Sequence, residues 1–270
     1  MRIGIQTGIQ ISKNVVTLDP ATSAFITATG ITDPTIINAV NRLVLNYKGQ
    51  GNLNSSVDLW TDTDIILPIV GGNASAHRVG LQTATNVVTF FGGLTHNANG
   101  ITGNGTNGYG LLTIAPNNLL QNNNRINGYV RTDNGGASFV GLIGSSDATF
   151  ANGLNIEINK TGASLNTYNN CGFKISSLSN RTGAFAVNRT NSTNFKEFRN
   201  GSLLRTITEN SLSPINFKLM VLANNNDGFP IRFSPENVSF FSIGKGLSDA
   251  NILLEYQIIQ QFQNDIGRAV

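Results

Sequence analysis

The chain has 270 residues, of which 40% are hydrophobic and only 12% are charged, and its formal net charge is +3. This length suits one β sandwich with an appendage, and the charged fraction lies well below the roughly 25% usual for soluble domains. No run of Lys or Arg exceeds a single residue, so the spread of basic charge argues against a nucleic-acid-binding surface.

The chain is rich in Asn and Gly and poor in charged residues. The chain has 38 Asn and 29 Gly, many of them in clusters such as residues 97–108 and 122–124. Both residue types favour turns, because they tolerate left-handed backbone and Asn bonds locally to the main chain. Apolar runs separate the clusters at intervals of about 8 to 12 residues, which is typical of strands and not of disordered tracts. The composition therefore predicts many short strands joined by tight loops.

The first residues alternate between apolar and polar. This period of two predicts a strand with one apolar face, which either adds to the main sheet or lies as an arm on a neighbouring subunit. Alternation also differs from the continuous apolar core of a signal peptide, and no later stretch approaches a membrane span. We therefore expect synthesis in a cytoplasm without membrane insertion. The residues proposed for assembly are Ile3, Ile5, Ile9 and Ile11.

Three helices are predicted, over residues 19–30, 33–49 and 248–267. Each of the first two opens with Asp-Pro, in which Asp caps the helix and Pro occupies its first turn. The third can be capped by Ser248 or Asp249. It carries an apolar stripe that we expect to pack on the second helix or on a sheet face. The stripe consists of Ile252, Tyr256, Ile259, Phe262 and Ile266.

Between these helices the sequence predicts an antiparallel sandwich, because short strand patterns follow one another without a long helical period. The clearest element is a hairpin at Asn200-Gly201, since both central residues of a type I′ turn need positive φ. Strands are expected near residues 65–70, 78–81, 87–91, 110–114, 127–131, 139–143, 154–159, 172–176, 184–189, 196–199, 203–208, 217–223 and 238–243.

Three segments resemble a known family. Residues 241–268 contain Ser-Ile-Gly-Lys-Gly-Leu-Ser-Asp followed by a helix ending in Phe-Gln-Asn-Asp-Ile-Gly-Arg, and residues 24–33 read Ala-Phe-Ile-Thr-Ala-Thr-Gly-Ile-Thr-Asp. Together with Asn-Gly-Thr-Asn-Gly-Tyr at 104–109, they resemble concanavalin-A/laminin-G-like jelly-roll virion proteins of tailed bacteriophages, of the type found in Bacteroidota phages and prophages. The resemblance runs from about residue 20 to the end, and the first 18 residues have no counterpart in it.

The resemblance implies a mainly β, antiparallel jelly-roll sandwich with short N-terminal helices and a C-terminal helix. The expected organisation is an extended arm over 1–18, a helical lead and linker over 19–56, and the sandwich over 57–270 with its helix at 248–267. The implied role is a non-enzymatic structural protein of the virion, made in the host cytoplasm and exposed on capsid or tail as a decoration or appendage component. Expected partners are other virion proteins, further copies of the chain and a host surface glycan. A tail-tip receptor-binding adhesin is the alternative.

A carbohydrate-active hydrolase is the lower-ranked alternative, and it would need two carboxylates placed across the sugar. The nearest candidate strand, residues 154–159, offers one acid, Glu157, between two amides. His77 and His96 are the only histidines, too few for a zinc site built on His. The sequence therefore predicts no catalytic residues.

Binding by loops fits the sequence better. Asp133 and Asp227 lie in Asn- and Gly-rich loops that could offer calcium carboxylate and amide oxygens, although each loop has one formal charge. No other metal or cofactor is predicted. A glycan site needs an aromatic surface beside planar amides, and four aromatic residues neighbour such loops. These candidates are Tyr109, Tyr129, Tyr168 and Phe229.

Overall fold

The computed structural model describes residues 17–134, 139–159 and 161–270. The prediction for Ile3, Ile5, Ile9 and Ile11 falls outside these residues. The helices are α1 Pro20–Thr29, α2 Pro34–Tyr47, α3 Ala74–His77 and α4 Asp249–Asp265. The strands are β1 Thr63–Leu67, β2 Val88–Phe91, β3 Thr95–Asn97, β4 Gly100–Thr102, β5 Tyr109–Leu112, β6 Asn124–Val130, β7 Phe139–Ser146, β8 Gly153–Asn159, β9 Ser164–Asn169, β10 Lys174–Ser177, β11 Gly183–Arg189, β12 Asn194–Arg199, β13 Ser202–Thr208, β14 Met220–Val221, β15 Asn224–Asn226, β16 Phe229–Ile231 and β17 Asn237–Gly244.

The predicted helix starts are confirmed by their caps. The side chain of Asp19 accepts a hydrogen bond from the Ala21 N–H at 2.8 Å, and Asp33 caps α2 in the same way. Ser248 caps α4 by accepting from the Asn251 N–H at 3.2 Å. Each cap satisfies an N–H group that the first helical turn would otherwise leave unpaired.

The strands form two sheets, which confirms the predicted mainly β antiparallel sandwich. The eight-stranded sheet has the order β13-β12-β11-β6-β17-β4-β3, with β1 also paired to β17. The nine-stranded sheet has the order β10-β9-β8-β7-β14-β5-β2, and the β15–β16 hairpin joins it at β7. Among the described strands, only β15 and β7 pair in parallel.

Two hydrophobic cores lie on opposite faces of the eight-stranded sheet, as strand alternation requires. In β6, Ile126 and Val130 face the nine-stranded sheet in the first core, whereas Tyr129 faces the helices in the second. The second core contains Val40 of α2 and Phe262 of α4, both at most 2% exposed. This confirms that the α4 stripe packs on α2 and on a sheet face. In the part of the chain that the structure describes, no helix is long and apolar enough to cross a membrane.

The hairpin between β12 and β13 is confirmed at the predicted turn. Asn200 and Gly201 have φ of 49° and 72°, the two positive values of a type I′ turn. The turn lies against α4, because a Cβ on Gly201 would come within 3.0 Å of Leu253 Cα. Glycine is therefore needed here for close approach as well as for its backbone angle.

Some strand predictions were wrong. Residues 78–81 make only an isolated bridge, Val79 with Asn86, and residues 217–223 contain a strand of two residues, β14. Conversely, β9 at Ser164–Asn169 was not predicted. The division into arm, lead and sandwich stays a prediction, although the lead helices α1 and α2 share the second core with α4.

Candidate glycan-binding face

The outer face of the nine-stranded sheet, called here the open face, lies opposite the helical side of the molecule. In β8, Leu154 and Ile156 point into the first core, so Asn155 and Glu157 alternate onto the open face. Asn155 and Glu157 pair directly with residues 168 and 166 of β9, which therefore share this face. The helices of the second core, α1, α2 and α4, pack on the other sheet.

An aromatic platform, formed by Phe91, Tyr109 and Phe233, lies at the β2 end of the open face. Phe91 and Tyr109 are paired across β2 and β5, and their rings stack with centroids 5.0 Å apart at 17°. The Phe233 ring follows at 6.2 Å from Tyr109. Phe91 is 41% exposed, and the platform therefore presents an apolar surface to solvent.

An ordered amide loop borders the aromatic platform. The Asn104 side-chain oxygen accepts hydrogen bonds from three successive backbone N–H groups, those of residues 106–108, each at 3.0 Å. Asn104 donates to the Asn107 side-chain oxygen at 2.8 Å, and Gly93 N–H donates to that oxygen at 3.1 Å. A Cβ on Gly92 would lie 2.0 Å from the Asn107 carbonyl oxygen. The loop is thus held in place before any ligand arrives, with both asparagines exposed.

A buried polar group, called here the Glu157 cluster, occupies the middle of the open face. It consists of Glu157, Asn155, Asn166, Asn224 and Arg232. The Glu157 carboxylate is 0% exposed, forms an ion pair with Arg232, and accepts from the amide nitrogens of Asn155 at 2.6 Å and Asn224 at 3.1 Å. Burial raises the pKa of Glu157, while the Arg232 charge and these hydrogen bonds act against the rise.

Arg232 forms a roof over this cluster together with two aromatic rings. Its guanidinium lies 4.3 Å from the Phe150 ring centroid and 5.1 Å from that of Phe139. Arg232 and Phe150 both have left-handed backbone, with φ of 54° and 58°. Such angles cost about 1–3 kcal/mol each in residues other than glycine, and they cluster at ligand-binding and switch sites.

The four predicted glycan residues lie at different places. Tyr109 is part of the aromatic platform, and Phe229 is 72% exposed on the β15–β16 hairpin. Tyr168 is on the open face but only 1% exposed, and burial, followed by the charge of Glu157, raises its pKa. Tyr129 is buried on the opposite sheet, where its hydroxyl bonds Gln260 of α4 at 2.8 Å. Neither Tyr129 nor Tyr168 reaches solvent in this structure, and the role of the four residues in glycan contact stays a prediction.

Sequence reasoning missed Phe91 and Arg232. A turn signal was available for Phe91, which directly precedes Gly92-Gly93. Arg232 carries no such signal, because its contact is with Glu157, 75 residues away in the sequence. Their contact is visible only in the folded chain.

The two candidate calcium ligands, Asp133 and Asp227, lie in different local environments. Asp133 forms an ion pair with Arg181 at 3.1 Å, and Asp227 occupies a left-handed position, φ 52°, in the β15–β16 turn. Among the described residues, no three His, Cys, Asp or Glu side chains are grouped to hold a metal. Calcium at either loop stays a prediction.

The two histidines, expected to play no metal role, contact each other. Their Nδ1 atoms are 3.0 Å apart, so one ring donates and the other accepts. His96 also meets the Phe90 ring edge-on at 4.6 Å. Burial, followed by the repulsion that a protonated His96 would exert and by the charge of Arg268, lowers the pKa of His77 to about 3. Burial also lowers the pKa of His96, so both rings are neutral at neutral pH.

Comparison with solved structures places this sandwich among known folds. It is similar to the binding domain of botulinum neurotoxin DC, solved with rat synaptotagmin II, at 17% identity and a TM-score of 0.52. The match covers 74% of this chain and 52% of the toxin chain, so the chain spans about half the length of that domain.

A structure of botulinum neurotoxin type C, whose cell entry is described as dependent on two ganglioside molecules, matches at 18% identity over 74% of this chain and 52% of that one, with a TM-score of 0.50. A sialidase CBM40 of Ruminococcus gnavus bound to α2,3-sialyllactose matches at 12% identity over 50% of this chain and 82% of that one, with a TM-score of 0.41. No protein-family model and no curated protein sequence matches the chain. At such identities, the likeness to the toxin domains shows the fold alone.

Proposed function

We propose that the protein is a non-enzymatic glycan-binding component of a phage virion, and that the open face carries its binding site. The observation that carries this proposal is the exposed Phe91–Tyr109 stack beside the ordered amide loop. The apolar C–H face of a sugar can lie on such rings, while planar amides meet its hydroxyl groups. A preorganised loop lowers the entropy lost on binding.

Glycan recognition also agrees with the fold. One toxin domain with this fold is described in complex with rat synaptotagmin II, and cell entry of the other toxin as dependent on interaction with two ganglioside molecules, which supports binding by analogy of fold. Hydrolysis has less support, because the carboxylate at the centre of the open face, Glu157, is already paired with Arg232. A retaining or inverting glycosidase would need a second carboxylate across the sugar.

The virion part of the proposal is supported by the resemblance of residues 24–33 and 241–268 to phage virion proteins. In the fold these segments meet, since α1, α2 and α4 share the second core on the side away from the open face. An attachment through the helical side would leave the open face towards solvent. The same geometry would serve a tail-tip adhesin, which is the second candidate.

Glycan binding is tested on a printed glycan array with the wild-type chain and with Tyr109→Ala and Phe91→Ala. Loss of one ring contact, worth about 0.5–1.5 kcal/mol, should weaken binding up to roughly tenfold for each variant. Leu253→Ala is the control, because Leu253 is 42% exposed on α4 and lies on the helical side. A wild-type chain that binds no glycan, or platform variants that bind like the control, would overturn the proposal.

Location on the particle is tested separately by electron microscopy of intact virions labelled with antibody to this chain. Label along the capsid supports decoration, whereas label confined to the tail tip supports the adhesin. Purified virions without label would show that the protein is no virion component.

A further inference from the structure

We propose that the Glu157 cluster is a second sugar subsite next to the aromatic platform, so that the ligand is a glycan of at least two units with a neutral, hydroxyl-rich unit over the cluster. This inference rests on the proposed function and names the class of ligand for the same face.

The Glu157 cluster contains an excess of buried hydrogen-bond acceptors. The side-chain oxygens of Asn155, Asn166 and Asn224 are buried and have no hydrogen-bond partner among the residues that the structure describes. Their residues are at most 2% exposed. Buried polar atoms are nearly always paired in native proteins, and each exception calls for an explanation. Three unpaired oxygens around one carboxylate indicate that a hydrogen-bond donor is missing from this cluster.

The orientation of two of these amides is set by their neighbours. Glu157 accepts hydrogen bonds, so the nitrogens of Asn155 and Asn224 must face it, at 2.6 Å and 3.1 Å. Their oxygens therefore face away from the carboxylate. Exchanging oxygen and nitrogen in either amide would place an oxygen against the carboxylate, which is unfavourable.

The charge of the cluster favours a neutral ligand. The one guanidinium in contact, Arg232, is already neutralised by Glu157. The remaining groups are acceptors, which attract the O–H and N–H groups of a sugar and repel a carboxylate or sulfate. A hydroxyl-rich hexose or its N-acetyl derivative has the required donors.

The roof provides a route of entry. The Arg232 side chain is 22% exposed, although the groups beneath it are buried. A shift of the Arg232 side chain away from Phe150 that keeps its ion pair with Glu157 would open the edge of the cluster beside an aromatic ring. Sugars bind well where such a ring adjoins acceptor groups.

The chain places this subsite beside the platform. Arg232 covers Glu157, and the next residue, Phe233, contacts Tyr109 of the platform. In the sheet, β8 with Glu157 and β5 with Tyr109 are separated by β7 and β14, a distance of about 14 Å at roughly 4.8 Å per strand. A single sugar would fill one of the two subsites, and an oligosaccharide can reach both.

The test uses an array of neutral and acidic mono- to tetrasaccharides, including lactose and its sulfated and sialylated derivatives. We expect neutral di- and oligosaccharides to bind more tightly than single sugars and than their acidic counterparts. Glu157→Gln should weaken binding of the neutral oligosaccharides at least tenfold, because the new amide NH2 group can donate to the Asn155 or Asn224 oxygen and take that acceptor from the ligand. It should leave binding of single sugars to the platform within about twofold. Glu209→Gln is the matched control, because Glu209 is paired with Lys174 at the surface.

A second measurement does not depend on the folding of a variant. In the wild-type chain, NMR signals of the Asn155 and Asn224 side-chain amides should shift on addition of the tightest neutral oligosaccharide of the array. The subsite is refuted if these signals stay unchanged, if only acidic glycans bind, or if Glu157→Gln binds oligosaccharides like the control while Tyr109→Ala loses them. In the last case the platform, and with it the proposed function, would stand. Absence of any glycan binding would refute both.

Discussion

Replacing Glu255 by methionine tests the buried ion pair that joins the helices to the eight-stranded sheet. Glu255 of α4 accepts from Arg125 of β6 at 2.8 Å, and both side chains are 0% exposed. Tyr47 of α2 and Ser242 of β17 also donate to this carboxylate, at 3.1 Å and 2.9 Å. Burial alone would raise the pKa of Glu255, but the Arg125 charge holds it below its usual range. The carboxylate is therefore ionised at neutral pH.

Removing this carboxylate leaves the Arg125 charge buried. The guanidinium keeps neutral acceptors, among them the carbonyl oxygens of Asp62 and Lys245 at 2.9 Å and 2.7 Å, but loses the carboxylate with which it is paired. Breaking a buried pair from one side costs about 3–5 kcal/mol, a large share of the roughly 5–15 kcal/mol by which a domain is stable. We expect Glu255→Met to lose this amount.

The assay is urea denaturation followed by circular dichroism at neutral pH. Asp265→Asn is the matched control, because Asp265 also lies at α4 and pairs with α2, yet its partner Arg42 is 44% exposed. That surface pair should contribute only about 0–1 kcal/mol. The double variant Arg125→Met/Glu255→Met removes both charges and should be more stable than Glu255→Met alone. A loss below about 1 kcal/mol for Glu255→Met, similar to the control, would refute the reasoning.

Two further predictions concern backbone and pH. Gly201→Ala should destabilise the fold by about 1–3 kcal/mol, because it adds a strained positive φ and a close contact with α4. Gly228→Ala, at φ 92° with no atom within 4 Å of the added Cβ, should cost less in the same urea titration. Equal losses for the two variants would contradict the role of the contact with α4. The pKa of His77 is about 3 in the folded chain and 6.5 in the unfolded chain. Between these two pH values only the unfolded state binds the proton, so the free energy of unfolding falls as the pH drops below 6.5. Between pH 7.5 and 5 the wild type should lose about 2 kcal/mol more than His77→Gln, and parallel pH profiles would show that burial of His77 carries no such cost.

The sequence was most informative where structure is local. Asp-Pro at each helix start and Asn200-Gly201 at the hairpin act through their own backbone, and the structure agrees at each position. Strand β9 escaped notice because two of its inward positions are polar: Thr167 bonds the buried Glu197 and Asn169 accepts from Arg189 at 3.1 Å. The hydrogen-bond partners of Asn169 and Thr167 lie 20 and 30 residues away in the sequence. The alternation of apolar and polar residues therefore does not reveal this strand.

The candidate site was harder to predict for the same reason. Tyr109, Tyr129 and Tyr168 all lie in strands near Asn-rich turns, and their local sequences do not separate them. The exposure of each ring depends on the elements that pack over it: α4 packs over Tyr129, and Tyr168 lies in the buried part of the open face. These packing elements are distant from the tyrosines in the sequence.

The two separate hydrophobic cores allow the two sides of this protein to accept substitutions independently. Residues of the open face and residues of the helical side share no core, because the eight-stranded sheet lies between them. Substitutions that are far apart and share no neighbours have additive effects on stability. The loops around Phe91, Phe150 and Arg232 can therefore accumulate substitutions without adjustment of the helical side. One scaffold could in this way present many different outer surfaces.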